Sequence, residues 1–171
     1  MKYAVAYRKR GSMNLNQFIG KDQLAVLRHN CRGEEGEFFK KLLADLKATI
    51  AGMPVTYETD GQGDKAKAIL HYFTRQSDWW ITERDVGSPD DEVPGIQSQA
   101  FGFACLNGDY EMAELGYISI QELIEHGVEL DLYYKPQTIG EIKSAVNHEA
   151  DGDAIRFASD PAGNAEFMAR N

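Results

Sequence analysis

Cysteine is scarce in this chain: Cys31 and Cys105 are the only two among 171 residues. They fall far apart and in unlike settings, so a disulfide framework has no support and both are read as reduced, with Cys105 inside an apolar run. Long apolar runs are missing as well. None approaches the roughly 18 residues that a membrane-spanning helix needs, and no membrane partner is expected. The opening "MKYAVAYRKRGSM" puts its basic residues after a short apolar stretch, the reverse of a secretory signal, which predicts a cytoplasmic protein.

Motifs for cofactors and metals are equally sparse. His29, His126 and His148 are scattered, with no cysteine or acid at ligand spacing, so no metal site is expected. The glycine-rich "TYETDGQGDK" lacks the Gly-Lys-Ser/Thr ending that supplies a phosphate lysine and a metal hydroxyl. Asp151-Gly152-Asp153 lacks the glycine and closing acid of a calcium loop. Neither a Gly-x-Ser-x-Gly elbow nor a Cys-His signature nor a dinucleotide fingerprint occurs, and no cofactor is implied.

What the chain does have is acid. Its net charge is −9, and the first twelve residues carry four basic residues and no acid, leaving 14 basic against 27 acidic residues in the remainder. Such a field repels phosphate, so nucleic acid is an unexpected ligand unless the Arg8 to Arg10 cluster supplies the contact. A protein partner suits it better.

Four segments are expected. Residues 1–12 form a basic appendage, 13–52 an N-terminal helical segment, 53–147 an α+β core and 148–171 a polar tail. Phe18, Leu24 and Leu27 are spaced for a short helix before Asn30 and Gly33. In "EEGEFFKKLLADLKATIAG" the residues Phe38, Phe39, Leu42, Leu43, Leu46 and Ile50 recur at helical steps, giving a long helix stopped by Gly52 and Pro54. The runs "KAILHYFTR", "WWITER", "AFGFACL" and "ELGYISI" read as antiparallel strands, with a tight turn at Asn107-Gly108 between the last two. The link from Asp85 to Gln99 is an acidic surface loop carrying Asp90, Asp91 and Glu92. Ser119 to Glu122 and Thr138 to Glu141 have capping-box spacing, predicting two short helices, and "VELDLYYK" between them alternates as a strand. The expected fold is α+β: a small antiparallel sheet with the long N-terminal helix and two short helices packed on one side.

Four motifs in this order, "HYFTRQSDWWITERD", "QAFGFACLNG", "ELGYISIQEL" and "ELDLYYKPQTIGEI", resemble the family catalogued as domain of unknown function 2958. The likeness covers about Met53 to about Ala145. That family occurs in bacterial plasmids, integrative elements and phages, and no activity is established for it. The resemblance implies a mobile-element setting without a mechanism.

Within that frame, Glu114 is an odd opening for the apolar run "ELGYI". Glu114 and Glu83, at the end of "WWITE", are candidates for a general acid and base if both carboxylates reach one edge. Their structural reading is pairing with Arg84, Lys67 or backbone donors. His71 is a candidate base, or a hydrogen-bonded, partly buried histidine. Trp79 and Trp80 take opposite faces of one strand, so one belongs in the core while the other is either offered to a protein partner or, like the first, covered by the N-terminal helices or loops. Gly102, Ala104 and Gly116 share one face, where small residues let a helix lie close. The expected function is a non-enzymatic accessory protein of a mobile element that binds a host or element-encoded protein, with interference in host defence as its concrete form. Trp79, Trp80, Asp90, Asp91 and Glu92 are its candidate partner contacts. The alternative is a small hydrolase or transferase using Glu83, Glu114 and His71.

Overall fold

A computed structural model of the chain describes residues 14–87, 93 and 95–150, with the backbone alone for 147–150. The basic appendage, the polar tail from 151, and Asp90, Asp91 and Glu92 lie outside the described residues.

A single 3-10 turn, Leu15–Gln17, leads into helix α1, Lys21–Asn30, and then α2, Gly36–Gly52. Beyond a loop and a second 3-10 turn, Gly63–Lys65, come strands β1 (Lys67–Ala68), β2 (Leu70–Phe73), β3 (Asp78–Glu83), β4 (Ala100–Cys105) and β5 (Glu114–Ile118). Helix α3 (Ile120–Glu125), strands β6 (Glu129–Leu130) and β7 (Gln137–Thr138), and helix α4 (Ile139–Ala150) complete the order. Five strands form an antiparallel sheet in the order β5-β4-β3-β2-β6, and β1 pairs with β7 in a separate two-stranded ribbon. The fold is α+β with a small antiparallel sheet.

Strand alternation sorts the sheet into two faces. Leu70, Tyr72, Ile81, Ala100, Ile118 and Leu130 form a core with Leu24, Leu27, Ile50, Ile120 and Leu123 from α1, α2 and α3. The buried Tyr72 hydroxyl donates to the Phe18 carbonyl at 2.7 Å, tying the sheet to the N-terminal turn. Trp80, Phe103 and Cys105 point the other way and pack with Ile139, Ile142 and Val146 of α4. The expectation of all helices on one side is therefore corrected. Helix α4 covers the second face because the β1–β7 ribbon starts it there, with Ile139 N–H bonded to the Ala66 carbonyl.

Local signals act where the sequence places them. Ser119 Oγ accepts the Glu122 N–H, and Thr138 and Glu141 exchange both bonds of a capping box. Asn107 and Gly108 have φ of 56° and 68°, and the Asp109 N–H closes the turn on the Leu106 carbonyl. The link between β4 and β5 is nonetheless longer than a two-residue hairpin, because a second turn from Tyr110 to Ala113 follows. The expected strand "VELDLYYK" shrinks to Glu129–Leu130, since the Asp131 carboxylate captures the Tyr133 N–H and bends the chain into a turn.

Candidate functional site

A β-bulge sets the site. Ile81 lies opposite Gly102 and Glu83 opposite Phe101, so Thr82 is the extra residue on β3. Without the bulge, Glu83 would share the Ile81 face and enter the helical core. With it, Glu83 joins the Phe101 face. Gly102 is what lets the strands close here, since a Cβ at that position would sit 2.1 Å from the Trp80 carbonyl oxygen. The reading that Gly102, Ala104 and Gly116 are small to let a helix lie close is corrected for both glycines: at Gly102 the crowding comes from the β3 backbone. Gly116, directly opposite it on β5, has open space where its Cβ would lie.

The loop after α2 then wraps the Glu83 carboxylate. Oε2 accepts the Tyr57 N–H at 2.8 Å, while Oε1 accepts the Thr59 N–H at 2.6 Å and the Thr59 hydroxyl at 2.5 Å. Tyr57 adopts a φ of 72°, a left-handed conformation unusual for a bulky residue and held here by the bond to Glu83. The chain also crosses to β3 through a parallel bridge between Val55 and Arg84, with the Arg84 N–H on the Pro54 carbonyl. Neither Arg84 nor Lys67 forms an ion pair with Glu83 among the described residues.

Glu83 is 3% exposed and lies at the base of an open cavity of about 420 Å³, flanked by Tyr57, Thr59, Asp60, Phe101, Leu115 and Tyr117. The Phe101 and Tyr117 rings meet edge to face, 5.6 Å apart at 78°. The Tyr117 hydroxyl donates to the Tyr57 hydroxyl at 3.2 Å across the rim. That bond raises the Tyr117 phenol above its ordinary pKa, helped by partial desolvation and by the negative charges of Tyr57, once ionised, and Glu83. Tyr57 and Tyr117 are both well exposed, and β5, which carries Leu115 and Tyr117, is an edge strand of the sheet.

The proposed acid and base pair is not assembled. Glu114 is exposed on the β5 edge, level with Ala104, on the face opposite Phe101 and Glu83. Tyr117, level with Phe101, is three residues along the strand, about 10 Å. Two carboxylates on opposite faces of a sheet cannot flank one substrate bond, so the pairing of Glu83 with Glu114 is corrected.

His71 serves elsewhere. Its Nε2 lies 2.8 Å from Asp78 Oδ1 and its Nδ1 3.5 Å from Asp131 Oδ2, with the ring stacked 5.2 Å from Trp80. Burial pulls the imidazole pKa down, but the hydrogen bonds and charges of Asp131 and Asp78 outweigh it and leave the pKa raised. The histidine thus clamps β2 to β3 and to the turn after β6, with both nitrogens engaged.

Trp80 is 3% exposed, which corrects its place among partner contacts, and Trp79 is half-buried against the helical core. At the ends of the acidic link, the buried Gln97 side chain bonds the Asp85 N–H and carbonyl, and the Asp85 carboxylate takes the N–H groups of Gly87 and Gln99. Among the described residues no group of three or more His, Cys, Asp or Glu is placed to hold a metal ion, and no helix is long and apolar enough to cross a membrane.

Compared with protein-family models, with curated proteins and with solved structures, the chain finds no match. The likeness to domain of unknown function 2958 rests on its four motifs alone.

Sequence reasoning missed Tyr57, Thr59 and Tyr117 as a group. The signal open to it was Tyr117 within "ELGYI", an aromatic that alternation puts opposite Glu114 and Ile118. Nothing in the sequence links that residue to Tyr57, 60 positions earlier.

Proposed function

We propose that the chain is a non-enzymatic binding protein whose partner is another protein, docked over the Tyr57, Leu115 and Tyr117 surface at the β5 edge. One observation carries the reading. The carboxylate at the base of the cavity is committed to three donors of its own chain, while the exposed side chains around it are Tyr57, Leu115 and Tyr117, with Asp60 beside them. A general acid or base has to exchange a proton with a substrate, and Glu83 is instead the post that holds a loop in place. Exposed tyrosines, Tyr117 on the sheet and Tyr57 on a loop pinned to it, are the residue type that anchors protein interfaces. Among the described residues β5 is an edge strand, with unpaired backbone donors and acceptors to which an extended partner segment can bond.

The four-motif resemblance supplies the setting for this proposal: an accessory protein of a mobile genetic element, in the cytoplasm, binding a host or element-encoded protein and interfering with host defence. The acidic balance of the chain supports a protein partner over nucleic acid. The hydrolase or transferase alternative loses support from the dispersal of Glu83, Glu114 and His71.

Affinity capture from the cells that naturally carry the chain tests the reading. Wild type and Glu114→Gln are expected to retain one stoichiometric protein partner, and Tyr117→Ala to lose it while keeping its melting temperature. Equal capture by Tyr117→Ala would move the binding surface elsewhere.

A further inference from the structure

Resting on the reading of this surface as a partner-binding one, we propose that the cavity beside Glu83 receives a single cationic side chain, lysine or arginine, from an extended segment of the partner. The first ground is the lining. Three aromatic rings, Tyr57, Phe101 and Tyr117, stand around the cavity with two carboxylates, Glu83 and Asp60, and among the described residues no lysine, arginine or histidine contributes to it. The Phe101 and Tyr117 rings meet edge to face and so form one continuous aromatic wall, against which a cation in the cavity can lie.

The second ground is the charge at the base. Carboxylates buried in proteins are ordinarily paired with a cation as well as hydrogen-bonded. Glu83 has the hydrogen bonds but no cationic partner among the described residues. An ionised carboxylate offers about four acceptor positions. Three are used, and the remaining one is on Oε2, beside the Tyr57 N–H. The negative charge of Glu83 already bears on Tyr117 at the rim, helping to hold its phenol protonated.

The third ground is access. Leu115 and Tyr117 point to the cavity face from the edge strand β5, so a segment laid along β5 presents every second side chain to that same face. The cavity, about 420 Å³, has room for a long side chain. The −9 charge of the chain draws a basic segment toward it.

The test uses the full-length 15N-labelled protein and three capped pentapeptides that differ only at the central residue: lysine, arginine or methionine. Backbone amide shifts are followed by NMR. The lysine and arginine peptides are expected to shift Tyr57, Thr59 and Gly116 saturably, at least about tenfold more tightly than the methionine peptide. Tyr117→Leu is expected to weaken the lysine peptide by about tenfold and Tyr117→Phe to leave it close to wild type, because the ring and not the hydroxyl is what the cation meets. Equal affinity for the methionine peptide, or no saturable shift of these amides up to about 5 mM lysine peptide, overturns the proposal. If the peptides fail while Tyr117→Ala still loses the captured protein, the cation site is wrong and the binding surface stands. If capture is indifferent to Tyr117, the surface itself is wrong.

Discussion

The Glu83 carboxylate accepts the backbone N–H of Tyr57 at 2.8 Å, and Tyr57 holds a φ of 72° to make that bond. One buried acid on β3 thereby fixes the shape of a loop 26 residues earlier in the chain and sets the Tyr57 ring beside Tyr117.

Replacing Glu83 by glutamine puts an amide N–H₂ where one of these oxygens accepts, facing a backbone N–H. The expected cost is about 1 to 3 kcal/mol of stability. Glu114→Gln, on an exposed edge, is expected to stay within about 0.5 kcal/mol of wild type. Thermal and urea unfolding of the two variants side by side checks the contrast. A Glu83→Gln protein as stable as wild type contradicts the supporting role given to Glu83.

Gly102 and Gly116 face each other across β4 and β5 yet should respond oppositely to an added methyl group. A Cβ at Gly102 would lie 2.1 Å from the Trp80 carbonyl oxygen and 3.0 Å from the Ile81 Cα, both backbone atoms that cannot swing aside. Gly102→Ala is expected to destabilise by about 3 kcal/mol or more. Gly116→Ala meets nothing within 4 Å and is expected to be neutral or stabilising by a few tenths, up to about 1 kcal/mol. Denaturant melts of both variants test this.

The His71 clamp predicts a pH dependence. Its folded-state pKa is raised above the ordinary 6.5 by Asp131 and Asp78 despite burial. A raised histidine stabilises fully below its unfolded value and loses that contribution as pH rises through the folded value. Stability is therefore expected to fall between about pH 6.5 and the folded-state pKa, and His71→Gln to flatten that fall. Asp131→Asn should lower the imidazole pKa, read by NMR of the ring carbon protons, and cost about 1 to 3 kcal/mol at pH 6. An imidazole titrating below its ordinary value in wild type contradicts the clamp.

Local rules in the sequence carried most of the element placement. Ser119 with Glu122, Thr138 with Glu141, and Asn107-Gly108 are short-range devices, each closed within four residues, and the structure uses them where the sequence puts them. The apolar stripe from Phe38 to Ile50 likewise reads directly as α2. The site was illegible for the opposite reason. It depends on a bulge at Thr82, which re-aims Glu83 by one residue of alternation, and on contacts between positions 57 and 83 and between 57 and 117. Such pairings follow from how strands stack, and periodicity contains nothing about them. Asp131 is the instructive residue: its neighbours alternate as a strand should, but its carboxylate bonds the Tyr133 N–H and ends the strand at Leu130.

The central claim is that a protein partner docks on the Tyr57 and Tyr117 surface, and site-specific photocrosslinking tests it most directly. A benzophenone amino acid is placed at position 117 of the full chain, and separately at Val26, which is equally exposed on α1 at 60%. Irradiation in the natural host cells is expected to give one discrete adduct from position 117, lost when wild-type chain is co-expressed in excess, and none from position 26. No discrete adduct at 117, or the same adduct from both positions, would contradict the account.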